Sequence, residues 1–196
     1  MRPTLRLAPL AVLVFLLAAC GGASPGAARP TGDVRAPRRL YPLGLGHVWS
    51  YKIDTGTSLD SLVVMRVVRA DGTHVEVSPG GGGSPTVYDL RPEGIFRPGN
   101  GTWLLRAPLE PGASWPSTGG MTATVTSVEA RASTGAGDFE GCVEITEEGG
   151  DAGRAIRTVY CPDVGPVLID TSMALDLREA PLRVVARLQG FALGGE

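Results

Sequence analysis

The sequence predicts an all-β domain, an antiparallel meander curving into a half-barrel, sandwich or barrel. Three observations predict it. Large apolar residues recur at period two, turn signals separate these runs at intervals of about 8 to 12 residues, and nothing after Leu40 sustains the 3.6-residue apolar repeat of an amphipathic helix. Ahead of this domain, residues 1–19 read as a signal peptide and residues 20–39 as a tether, leaving 40–196 as a single β domain.

The first element begins with Arg2 and Arg6, followed by an apolar run from Leu7 to Leu17 that only Pro9 interrupts. About a dozen residues at ~1.5 Å each make a helix near 20 Å, short of a hydrocarbon core of about 30 Å, so the run fits an export signal and not a membrane span. It ends in Leu17-Ala18-Ala19-Cys20, within "FLLAACGG", which resembles the lipobox of bacterial lipoproteins. The resemblance implies that the Cys20 sulfur receives a diacylglycerol, that the chain is cut before it, and that the new amine is acylated. Two or three acyl chains give stable anchoring where one would be reversible. Gly21 in place of aspartate implies the outer membrane, on its periplasmic side.

The next element, "GGASPGAARPTGDVRAPRR" at residues 21–39, has no apolar periodicity and buries too little to order itself. Extended, it spans about 60 Å. It carries Arg29, Arg35, Arg38 and Arg39 against Asp33, whereas Leu40 onward holds 12 basic and 19 acidic residues. A basic face large enough for nucleic acid is therefore not expected in the domain.

Within the domain, Trp49, Tyr51 and Ile53 alternate with Ser50 and Lys52 as a first strand. "SLVVMRVVRADGTHVEVS" reads as a hairpin turning at Asp71-Gly72, which sets Val68 opposite Val75. Further strands are expected at 85–91, 94–97, 102–106, 121–132, 139–147, 155–161, 166–171 and 182–191, separated by "SPGGGGSP", "RPGNG" and "EEGGDAG". "SMALDLREA" fits two helical turns or a strand equally well.

Cys142 and Cys161 flank a segment whose glycine-rich centre lies between Asp151 and Ala152. A hairpin folded there puts the cysteines opposite each other, with Val143 facing Tyr160, Ile145 facing Thr158 and Thr146 facing Arg157. In an exported chain that placement predicts a disulfide, with closure of the loop contributing roughly 3 kcal/mol.

Motifs that would carry catalysis or metal binding are weak. "GASPG" at 22–26 matches a nucleophile elbow but follows no strand and precedes no helix. His47 and His74 read as solvated strand-end residues; "HVE" has no P-C-x-x-C beside it. Glu147, Glu148 and Asp151 read as an acidic hairpin tip without the spacing of a calcium loop. "GGGG" at 80–83 opens no helix and is not a phosphate loop, and Asn100-Gly101-Thr102 reads as a tight turn. No enzyme, metal or cofactor is expected. Trp49, Tyr51 and Trp103 are candidates for the wall of a ligand cavity, although core filling is the commoner role of aromatics on alternating strands.

"YPLGLGHVWSYKI", "PLEPGASW", "GDFEGCVEI" and "YCPDVGPVLI", in that order, resemble the landmarks of β-rich lipoproteins and periplasmic proteins of Proteobacteria, including myxobacteria, a type grouped distantly with lipoprotein carriers of the LolA and LolB kind. The resemblance implies a curved antiparallel sheet. Two functions are compatible with an anchored β domain: binding or scaffolding of another envelope component, and carriage of a lipid or other hydrophobic ligand in the hollow of the sheet.

Overall fold

The computed structural model describes Asp33 and residues 35–57, 61–150, 153–174 and 181–194. The signal peptide, Cys20, Ser24 and most of the tether lie outside these residues, as does most of "SMALDLREA". The folded unit runs from Gly32 to Glu196. Its elements are a one-turn helix α1 (Pro37–Leu40), then β1 (Val48–Asp54), β2 (Ser61–Asp71), β3 (His74–Pro79), β4 (Thr86–Arg91), β5 (Gly94–Arg97), β6 (Thr102–Arg106), β7 (Ser114–Pro116), β8 (Met121–Thr134), β9 (Gly137–Gly149), β10 (Arg154–Cys161), β11 (Gly165–Met173) and β12 (Leu182–Ala192).

All twelve strands form one antiparallel sheet in the order β6-β5-β4-β3-β2-β1-β12-β11-β10-β9-β8-β7. Every strand pairs with its sequence neighbour except that β6 does not pair with β7, and β1 pairs with β12. The sheet is thus an up-and-down meander rolled into a nearly closed barrel, the all-β solution that the period-two pattern predicts. One face of each strand turns inward, so Trp49, Val67, Val75, Val77, Val143 and Ile145 form a buried core.

The β9–β10 hairpin has the expected register, with Val143 opposite Tyr160, Ile145 opposite Thr158 and Thr146 opposite Arg157. Cys142 and Cys161 are joined by a disulfide, their Cα atoms 4.4 Å apart. The β2–β3 hairpin departs from expectation. Asp71 pairs with His74, leaving Gly72-Thr73 as the two-residue loop, and Ala70 rather than Val68 faces Val75. Gly72 takes the positive φ, 70°, that opens this loop. A bulge between Val67 and Arg69 then leaves Val68 unpaired and exposed while Val67 and Val77 stay buried.

The sequence boundary at Leu40 falls inside an element. Pro37 occupies the first turn of α1, where its missing N–H costs nothing, and Leu40 is fully buried. On one side the Arg38 guanidinium donates to Leu90 O of β4 at 3.1 Å. On the other, Arg39 Nε donates to Asp163 Oδ1 at 2.9 Å, in the β10–β11 turn. Leu90 and Asp163 lie on well-separated parts of the rolled sheet, so the end of the stretch read as tether crosses one end of the barrel and closes it.

Candidate functional site

Alternation along each strand directs a second set of residues to the interior above α1, where they surround a cavity of about 330 Å³. This lies at the lower end of the range for small-molecule sites. Its apolar wall includes Ile53, Val63, Met65, Leu104, Ile156 and Ile169. Four tyrosines, Tyr41, Tyr51, Tyr88 and Tyr160, share the lining. Three charged side chains complete it: Arg97, Glu147 and Arg154.

The lining is graded in exposure. Tyr41, Tyr51 and Tyr160 are buried near α1, whereas Ile53, Arg154, Ile156, Thr171 and Ala186 are partly exposed. The register aligns this gradient: Tyr160 pairs with Pro166, Thr158 with Ile169, Ile156 with Thr171 and Arg154 with Met173, a row running from the closed end toward solvent. Tyr51 is fixed by donating its hydroxyl to Pro166 O at 2.8 Å. Tyr41 packs edge-on against Trp49 with ring centroids 5.2 Å apart, and lies 6.1 Å from Tyr88. Burial, the largest effect on each, pushes all four hydroxyls above the ordinary tyrosine range.

The charged groups fall into two settings. Glu147 is buried, accepts a short hydrogen bond from the Ser117 hydroxyl, and lies 3.7 Å from Arg97 Nη1. Arg97 Nη1 also donates to Thr118 Oγ1 at 2.9 Å. These bonds join β5 and β9 to the segment after β7. Arg154, by contrast, has a buried Nε with no hydrogen-bond partner among the described residues.

Of the three aromatics expected in the cavity wall, only Tyr51 is there. Trp49 faces inward on the same strand but lies beneath Tyr41, with its indole N–H donated to Val164 O at 2.6 Å, and acts as core. Trp103 is kept from the wall by a bulge between Ile95 and Phe96 of the β5–β6 pair: Phe96 meets Trp103, Ile95 meets Leu105, and Leu104 is the extra residue that reaches the cavity. Trp103 instead packs edge-on against Phe96, flanked by Arg91 and Arg106.

The acidic hairpin tip is corrected as well, because Glu147 is an interior residue of β9 and not a tip residue. It shares the inward parity of Val143 and Ile145, a signal present in the sequence. His74 is exposed, its Nδ1 2.6 Å from Asp89 Oδ1. His47 is less solvated than expected: Nδ1 lies 2.6 Å from Pro42 O, and the ring meets Trp49 edge-on. Among the described residues no group of three or more His, Cys, Asp or Glu side chains is placed to hold a metal.

No protein-family model matches the chain, and no curated protein matches it. Two solved structures are similar. A protein provisionally described as exported, with a YmcC-like fold, from Bacteroides fragilis is 13% identical with a TM-score of 0.44, over 76% of this chain and 97% of that one. A protein provisionally described as a lipoprotein, from Parabacteroides distasonis, is 12% identical with a TM-score of 0.41, over 78% of this chain and 98% of that one.

Proposed function

We propose that the chain is an exported, lipid-anchored protein of the bacterial envelope whose barrel binds a small, mainly apolar ligand in its interior. The cavity is the observation that carries this reading. It has an aliphatic and tyrosine lining, one end closed by α1 and a lining that grows more exposed toward the other. Export and anchoring rest on the sequence around Cys20, with the outer membrane, periplasmic side, as destination. In this reading the barrel acts as a carrier or receptor for that ligand.

Saturable displacement of a hydrophobic dye from the full chain tests the binding, with native mass spectrometry after gentle extraction to reveal a co-purified apolar molecule. Ala186→Trp, which fills the cavity from β12, should abolish dye binding. Dye binding that is unsaturable, or unchanged in that variant, would sink the reading. Incorporation of a labelled lipid precursor, lost in Cys20→Ala, tests the anchor separately.

A second reading, docking of another envelope component, is favoured by the main-chain groups that β6 and β7 leave without ladder partners along their side-chain-bridged seam. Cross-linking in cells from a photoreactive residue at Ser114 should then capture one discrete protein. Its absence, alongside saturable dye binding, would leave the carrier reading alone.

A further inference from the structure

We infer that the ligand carries a single negative charge on an apolar body, and that Arg154 is the residue that receives it. The inference rests on the binding reading above and specifies the ligand's chemistry.

Among the three charged groups of the lining, Arg97 and Glu147 offset each other. Glu147 accepts from Ser117 and faces Arg97 at 3.7 Å, while Arg97 donates to Thr118. Arg154 has no such arrangement. It occupies the first position of β10, opposite Gly149, and therefore sits diagonally from Glu147, which pairs with Ile156. That carboxylate is nevertheless committed to Ser117, and no carboxylate among the described residues forms an ion pair with Arg154. Among the described residues the result is a positive charge without an ion-pair partner and with a buried, unpartnered Nε, on the same inward row as Ile156, Thr158 and Tyr160.

A guanidinium nitrogen withdrawn from water without an acceptor is costly, and a planar fork of donors is matched by the two oxygens of a carboxylate. Arg154 lies at the more exposed end of the row and the tyrosines at the closed end. A ligand seated this way places its head at Arg154 and its apolar body toward Tyr51 and Tyr160. Tyrosine hydroxyls are protonated near neutral pH and burial raises them further, so among the lining residues the one negative charge is Glu147, which Arg97 offsets.

The test compares three small fluorescent probes on the full chain, chosen to suit a cavity of about 330 Å³: dansylglycine, its methyl ester, and a dansyl alkylammonium of the same length. The acid should bind about tenfold or more tightly than the ester, and the ammonium most weakly. Arg154→Gln should erase the preference for the acid, the acid losing far more affinity than the ester, and a circular-dichroism spectrum like that of the natural sequence reports that the barrel is intact. Arg154→Lys keeps the charge without the fork and should retain part of the preference. Equal affinity for acid and ester in the natural sequence, or a preference that survives Arg154→Gln, overturns the inference while leaving the cavity reading standing. Failure of all three probes to bind overturns both.

Discussion

The sheet meets itself at two places, and it closes them by different means. At the junction of β1 and β12, main-chain pairing runs from Val48 with Ala192 to Asp54 with Val185, broken by one irregularity where Ser50 faces Gly190 and Tyr51 faces Leu188. The inner residues of β1 reach further, Trp49 to Val164 O and Tyr51 to Pro166 O. Between β6 and β7 there is no ladder, only side-chain bridges: Trp115 Nε1 donates to Trp103 O at 3.2 Å, Arg97 and Asn100 donate to Thr118 Oγ1, and Arg97 Nη1 lies 3.7 Å from Glu147 Oε2. Strands far apart in sequence are zipped, while sequence neighbours are merely bridged. Each bridging bond contributes on the order of 1 kcal/mol, so the seam should open locally well before the barrel unfolds, whereas the terminal junction opens only with it.

Removing the centre of the zipped junction has the largest expected effect. Trp49→Ala deletes a fully buried indole, its bond to Val164 and its contact with Tyr41, and should cost about 3–5 kcal/mol in chemical denaturation. A loss below about 1 kcal/mol would mean that the ladder alone holds this junction. At the seam, Glu147→Ala leaves the Ser117 hydroxyl and the Arg97 guanidinium without their carboxylate and should cost about 2–3 kcal/mol. Hydrogen exchange gives the sharper contrast: β6 and β7 amides should speed up in Glu147→Ala while β1 and β12 amides keep pace with global stability.

The same contrast explains what the sequence could disclose. The β9–β10 register is legible because two cysteines and a glycine-rich centre give independent fixes that agree. The β2–β3 register is not, because a bulge at Val68 adds one residue without disturbing composition, and period-two reasoning has no way to count it. Bulging defeats the wall assignment in the same manner: Leu104, the extra residue between Trp103 and Leu105, takes the place that simple alternation would offer its neighbour. The seam was hidden for another reason. β7 spans only Ser114–Pro116, too short for a periodic signal, and its relation to β6 depends on closure of the whole sheet. Arg154 was missed by one residue at the start of its strand, where hairpin glycines blur the boundary.

Alkali should erase the difference between the junctions. Tyr51 lies on β1, Tyr88 on β4 and Tyr160 on β10, so the buried hydroxyls span the whole sheet. Each has a folded-state pKa raised by burial above the unfolded value of about 10. The unfolded chain therefore loses these protons first. Their contribution is intact below about pH 10 and is lost as pH rises beyond it, by up to about 1.4 kcal/mol per pH unit for each tyrosine. Tyrosine absorbance and circular dichroism should change together in one transition. Phenolate appearing while the β signal persists would show that these hydroxyls reach solvent through the mouth.

The smallest effect is the most discriminating. Trp115 is buried at 3% exposure, and apart from its packing its link across the seam is a single bond from Nε1 to Trp103 O. Trp115→Phe keeps most of the apolar contact and removes that donor, leaving the Trp103 carbonyl to find water at a partly exposed edge. The expected loss is about 1 kcal/mol, because an acceptor with access to solvent does not incur the full penalty of an orphaned buried group. That loss should appear chiefly as faster exchange in β7 and the start of β8, with the midpoint of global unfolding moved only slightly. Should the midpoint fall as far as it does in Trp49→Ala, the seam would be part of the cooperative core, and side-chain bridging would hold the barrel as firmly as a ladder.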